Sequence, residues 1–157
     1  MDDLDLLILG ALQEDGRTPF TQIAKRAGVA ESTIRNRYTS LVEQGIVQTI
    51  SVIDPFAVGY RAPALLGIKT DSGMIEQVAH EIEKLPEVSY LVLTLGTYDL
   101  MVEVFCQDLP HLTDLVTNQI QNIAGVHRTE TLVIGKIFKL SFFWTPDPGL
   151  VEVRDQT

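Results

Sequence analysis

The sequence predicts an α+β chain in two unequal parts: a helical N-terminal third, then a longer stretch of alternating strands and helices. Three observations carry this. Apolar residues keep a helical spacing as far as Gly45 and a mixed spacing after it. Charge divides along the same line: residues 16–50 hold five basic and two acidic side chains, residues 51–157 seven basic and fourteen acidic, within a net charge of −9. Between them "DPFAVGYRAP", residues 54–63, breaks either pattern with two prolines and a glycine.

Each element has its own signal. Leu4, Leu7, Ile8, Ala11 and Leu12 mark a first helix after Asp2 and Asp3, acidic residues that suit a helix N-terminus. "EDGR" ends it, with Gly16 expected as the C-cap. Thr18 followed by Pro19 reads as an N-cap and first helical residue. Phe20, Ile23, Ala24 and Ala27 then form the inner face of a second helix that closes at Gly28. A third begins at Glu31 or Ser32, is expected to turn Ile34, Tyr38, Leu41 and Val42 inward, and stops near Gly45. "IVQTISVID", residues 46–54, alternates like a short strand pair or wing.

After the joint come a strand in "ALLGIKT" and a helix marked by Ile75, Val78, Ala79, Ile82 and Leu85. "VSYLVLTL" and "LMVEVFC" are strands either side of the turn "GTYD". A second helix carries Leu112, Leu115, Val116, Ile120 and Ile123. "TETLVIG" is a fourth strand, and "IFKLSFFW" extends it or adds a fifth. The order βαββαβ predicts a ferredoxin-like domain with both helices on one face of an antiparallel sheet. The expected divisions are residues 1–53, a linker 54–62, the sheet domain 63–145 and a tail 146–157. Strand 88–95 is apolar on both sides, and two helices cover only one face, so a second copy of the chain is expected on the other.

Composition narrows the function classes. No apolar run approaches the roughly 20 residues of a membrane span, and "MDDLDLL" is unlike a basic-headed signal peptide. The single Cys106 forms no internal disulfide, which fits a reducing cytoplasm. None of His80, His111 and His127 has another His or Cys at metal-ligand spacing, and no nucleophile elbow or phosphate-binding glycine loop occurs. An enzyme using Asp99 and Tyr98, and a module that regulates an enzyme by contact, are the alternatives to a DNA-binding protein.

The basic segment favours DNA. Ala24 is small where two helices cross, Gly28 tolerates a positive φ four residues later, and Val29 fills the turn: the requirements of a helix-turn-helix. At ~100° per residue, Asn36 lies opposite the buried side of the third helix. Ser32, Thr33, Thr39 and Ser40 flank it, with Arg35 and Arg37 further round. Small polar groups there suit base edges and the arginines suit phosphates. An asparagine such as Asn36 can pair in bidentate fashion with adenine, and the Thr33 methyl can meet thymine. Thr18, Lys25 and Arg26 are placed for the DNA backbone. The DNA-binding set is thus Thr18, Lys25, Arg26, Ser32, Thr33, Arg35, Asn36, Arg37 and Ser40.

"LDLLILGALQEDGRTPFTQIAKRAGVAESTIRNRYTSLVEQGIV" resembles the DNA-binding half of the Lrp/AsnC (feast/famine) family of transcriptional regulators. The matching points are Asp15-Gly16-Arg17, Ala24 to Gly28, Ser32 to Arg37 and Gly45-Ile46. "LGTYDLMVEV" and "GVHRTETLVIGKIFK" resemble the family's amino-acid-sensing (RAM, ACT-like) domain. Tyr38 and Val42 depart from the valine or isoleucine, and the glutamate, usual at those places. The resemblance implies a winged helix-turn-helix, a cytoplasmic, nucleoid-associated regulator of a prokaryote, and homodimers that build tetramers or octamers. It implies no cofactor, and a small amino acid or related metabolite held between dimers as effector. The chemistry such an effector needs points to Gly96, Thr97, Tyr98, Asp99, Thr129 and Thr131. Backbone N–H groups near Gly96 would meet a carboxylate, Asp99 an ammonium, Tyr98 would wall the pocket, and the threonines would supply hydroxyls.

Overall fold

Two aspartates open the first helix by capping each other. The Asp5 amide donates to Asp2 Oδ1 and the Asp2 amide to Asp5 Oδ2, both at 3.0 Å. This helix, α1 (Asp3–Glu14), starts the computed structural model, which describes residues 1–140. The described residues fall into two units, one of residues 1–52 with 139–140 and one of Ile53–Phe138.

In the first unit α1 ends at Asp15 in extended backbone, so Gly16 is not the left-handed cap expected of it. The Asp15 side chain accepts the Arg17 amide instead and closes the turn. Nor does Thr18 cap the next helix. Its hydroxyl donates back to the carbonyls of Asp15 (2.7 Å) and Ala11 (3.2 Å). Helix α2 (Phe20–Ala27) therefore starts from Pro19, whose carbonyl accepts the Gln22 and Ile23 amides. It stops at Gly28, whose φ of 69° is the left-handed turn that leads to α3 (Glu31–Glu43). Ile8, Ile23, Ala24, Ile34 and Leu41 form the core between the three helices.

Two expectations fail here. Val42 is 42% exposed, not inward, because on the helical wheel it falls beyond Tyr38, about 80° from Ile34. Residues 46–54 form no wing: they carry neither helix nor strand. Among the described residues the alternating Ile46, Ile50 and Val52 have no second strand to pair with, and a lone strand leaves its amides and carbonyls unpaired.

The second unit runs β1 (Ala62–Thr70), α4 (Ile75–Ile82), β2 (Val88–Leu93), β3 (Leu100–Cys106), α5 (Leu109–Asp114) and β4 (Val126–Val133). After α5 the chain continues as a π-helical turn, Leu115–Gln119, and a 3-10 turn, Ile120–Asn122. The sheet order is β2-β3-β1-β4, with every pairing antiparallel. That is the predicted ferredoxin-like arrangement. Leu66, Ile68, Val102 and Val104 of the central strands pack with Val78 and Ile82 of α4 and with Leu112, Leu115 and Ile120. Each such side chain contributes about 1.5–3 kcal/mol on burial.

Strand β2 is shorter than expected, ending at Leu93, and a bulge lies between Val88 and Tyr90. The extra residue turns Val88 and Leu91 toward the helices. Tyr90 and Val92 then face away with Glu103 and Met101, their register partners. No strand follows β4 among residues 134–140; the rest of "IFKLSFFW" and the tail 146–157 lie outside the described residues.

Candidate functional site

The helix-turn-helix presents one face of α3. With Ile34 and Leu41 buried, Ser32, Arg35, Asn36 and Thr39 are exposed and Thr33 and Ser40 half-buried. Neither Ser32 nor Asn36 has a side-chain hydrogen bond to another described residue, so both are free to meet a partner. Ser40 already accepts from Gln44 Nε2 at 2.8 Å, and Thr39 donates to the Arg35 carbonyl.

The two arginines diverge. Arg35 binds Glu31 on its own helix at 2.6 Å, and its guanidinium lies 5.5 Å from the centre of the Phe20 ring. It stays at the surface where α2 meets α3. Arg37 turns the other way, with one nitrogen 2.8 Å from Asp2 and another 3.4 Å from Asp5 of α1. The wheel explains this: Arg37 stands only about 60° from Ile34, on the side that meets α1. Lys25 and Arg26 are exposed in the last turn of α2, Arg26 with a long 3.8 Å contact to Glu14. Thr18 is half-buried with its hydroxyl committed to α1, as described above.

The second group of expected residues lies on the β2–β3 connection and on β4, and the sheet separates it. Gly67 of β1 pairs with Glu130 and Met101, on the face away from the helices. The Tyr98 ring lies across Gly67, where a Cβ would meet ring carbons at 2.6–2.8 Å. Its hydroxyl donates to the Glu130 carboxylate, a bond that holds the tyrosine pKa above its ordinary value. Thr129 and Thr131 pair with the buried Ile68 and Leu66, so they belong to the helix side, and Thr129 accepts from Gln121 at 2.7 Å. One chain therefore does not bring Tyr98 together with the two threonines.

Asp99 is engaged within its own chain. Its carboxylate takes Lys69 Nζ at 2.7 Å and the Thr70 amide at 2.8 Å, with the Thr70 hydroxyl at 3.2 Å. The Lys69 bond first, then the Thr70 amide, holds its pKa below the usual carboxylate value. Gly96 and Thr97 are exposed in the bend, which the Thr94 hydroxyl closes on the Tyr98 carbonyl at 2.7 Å. Beside them Leu95 is 98% exposed at the tip of the hairpin. Cys106 is buried at the far end of β3, and burial, ahead of the charges of Glu87 and Asp108, pushes its thiol to about 11. Among the described residues no cluster of three metal-ligating side chains occurs, and no helix is long and apolar enough to cross a membrane.

Both halves match family models. Residues 1–42 match the AsnC-type helix-turn-helix domain, and residues 63–142 the Lrp/AsnC ligand binding domain. An HTH-type transcriptional regulator of Pyrococcus abyssi is 34% identical over 143 residues, 90% of either chain. The chain belongs to the Lrp/AsnC family. It is a helix-turn-helix transcriptional regulator with a ligand-binding α+β domain.

Solved Lrp/AsnC structures share its fold. The leucine response regulatory protein LrpA of Mycobacterium tuberculosis superposes with a TM-score of 0.84 at 28% identity, over 93% of this chain and 100% of that one. A feast or famine regulatory protein of M. tuberculosis, complexed with L-methionine, gives 0.81 at 28% identity over 92% and 99%. Against this Lrp/AsnC frame, sequence reasoning missed Lys69, Arg128 and Glu130, which join Tyr98 on the outer sheet face. Strict alternation along β4 would have placed Arg128 and Glu130 there, opposite to Thr129 and Thr131.

Proposed function

We propose that the chain is a non-enzymatic, cytoplasmic, nucleoid-associated regulator that reads double-stranded DNA with α3 and answers to a small amino acid. The observation that carries the DNA reading is the face of α3 bearing Ser32, Thr33 and Asn36. Ser32 and Asn36 are open to solvent, Arg35 stands at the edge of this face, and the turn at Gly28 sets α3 against α2. Base edges meet the small polar groups, and phosphates meet Arg35, Lys25 and Arg26. Arg35→Ala is expected to weaken binding about equally on all sequences, with a shallower salt dependence, because a phosphate contact carries no sequence information. Asn36→Ala is expected to relax base preference at one position by about 1–3 kcal/mol. Mobility shifts of fragments from the protein's own promoter region, at several salt concentrations, check both; binding unchanged in both variants would refute the reading.

The effector reading rests on the corner formed by Gly67, Tyr98, Lys69, Arg128 and Glu130, with Gly96, Thr97 and Asp99 in the adjoining bend. Cations and carboxylates lie there side by side on a largely apolar face, chemistry suited to a zwitterion. The relative complexed with L-methionine supports an amino acid. Thr129 and Thr131 enter this reading only through an edge that a second molecule shares.

The assembly reading is a homodimer, itself a unit of tetramers or octamers. Leu65, Leu132 and Tyr90 are exposed on the outer sheet face, with Met101, Phe105 and Val92 half-buried among them. Ile46, Ile50, Val52 and Ile53 of residues 46–53 are exposed as well. A second copy covers surfaces of this kind at no cost in new sequence. An effector at the seam between dimers then changes which assembly, and so how many DNA sites, the protein holds at once. Sedimentation is expected to give a dimer or a multiple of it at micromolar concentration; a monomer alone would end this reading.

A further inference from the structure

We infer that Arg37 is a positioning residue, which clamps the recognition helix α3 to the first turn of α1 through Asp2 and Asp5 and does not touch DNA. The inference rests on the DNA reading of α3 above and deepens it.

The geometry differs sharply between the two arginines of "IRNR". Arg35 pairs within α3, where a shift of the helix would carry both partners along. Arg37 pairs across helices, with a side chain 32 positions away in sequence. Asp5 is only 5% exposed, although it is charged, and besides Arg37 its one described partner is the Asp2 amide. A buried carboxylate left without its cation is costly, so Asp5 holds Arg37 in place. Asp2 is tied to Asp5 by the reciprocal cap and adds a second oxygen at 2.8 Å. A guanidinium offers several donors in a fixed plane, so Arg37 holds Asp2 through one nitrogen and Asp5 through another.

The consequence concerns α3 more than α1. Met1, Asp5, Arg37, Ser40, Leu41, Gln44 and Ile46 surround a cavity of about 170 Å³ at this junction. The packing on this side is therefore open, and the clamp acts beside the buried Ile34 and Leu41 in fixing the roll of α3. Rolling the helix by one residue's share of a turn would carry Asn36 and Ser32 off the groove. Charge on α1 thereby sets the aim of a base-reading face on another helix.

Charge substitution separates this from direct contact. Asp2→Asn keeps the N-cap, since asparagine caps as well as aspartate, and removes one negative charge. By bulk electrostatics that change tightens DNA binding. The clamp predicts the reverse: specific affinity falls severalfold, while affinity for unrelated DNA holds or rises. Arg37→Gln is expected to lower specific affinity about tenfold with the slope of log K against log salt unchanged, and Arg37→Lys to restore part of it. The double variant should be no worse than Arg37→Gln alone. Circular dichroism at the assay temperature confirms that each variant is folded.

A slope reduced by about 0.9 in Arg37→Gln, the mark of one lost phosphate, would overturn the inference. So would tighter specific binding by Asp2→Asn. If the unmodified protein bound no DNA, the DNA reading would fail separately. Thermal unfolding of the unmodified protein, Asp2→Asn, Arg37→Gln and the double variant would then decide whether the clamp exists, with additive effects of the two substitutions counting against it.

Discussion

Ile34→Ala is expected to unfold the first unit and leave the second standing. Ile34 is wholly buried at the start of α3, among Ile8, Ile23, Ala24 and Leu41. Truncating such a residue costs about 2–5 kcal/mol, from lost burial and from the cavity left behind. A unit of this size holds about 3–8 kcal/mol in all, so the loss is comparable to its whole stability. The core of the second unit shares no residue with that of the first and keeps its Leu66, Ile68, Val102 and Val104. Scanning calorimetry should therefore show one transition displaced far downward and another nearly unmoved, with DNA binding lost. A single transition, shifted as a whole, would mean that the two units melt as one.

Gly67→Ala is expected to abolish the response to effector while leaving DNA binding intact. The new methyl group would sit 2.6–2.8 Å from three carbons of the Tyr98 ring, and those carbons lie next to the Tyr98 backbone. They cannot be moved by a small adjustment of a flexible tip. Tyr98 must swing away from β1 and give up its bond to Glu130. The wall of the proposed pocket then goes, although Leu66 and Ile68 on either side stay in the core. Titration calorimetry of the unmodified protein against the twenty amino acids identifies the effector, and the variant is expected to bind it at least about tenfold more weakly. No heat from any of the twenty would count against sensing by this domain. Equal binding by the variant would remove Tyr98 from the site.

The parts of the molecule legible from sequence are those that periodicity or a single special residue dictates. The order of strands and helices after the joint followed from apolar spacing, and the turn at Gly28 from the need for a left-handed residue. What escaped depends on partners distant in sequence. Thr18 looks like a cap beside Pro19, yet its hydroxyl finds two carbonyls at the end of α1. Nothing local in "RNR" says that Arg37 meets two aspartates at the chain start. Asp99 reads as a turn residue, and its oxygens in fact secure Lys69 and Thr70 of β1. Hydroxyl chemistry singles out Thr129 and Thr131, but strand register puts them on the opposite face from Tyr98. The wing rests on alternation alone, which shows what a strand would bury but not that a neighbour exists to pair with it.

The lone cysteine has a practical corollary. Cys106 sits in the central layer beside Ala62 and keeps its proton until the solution is strongly alkaline. Reagents that attack sulfur need the ionised form and a path to it, and the packed core grants neither. Chemical tagging of this one atom therefore keeps time with the rare openings of the sheet, an internal clock supplied by the native chain.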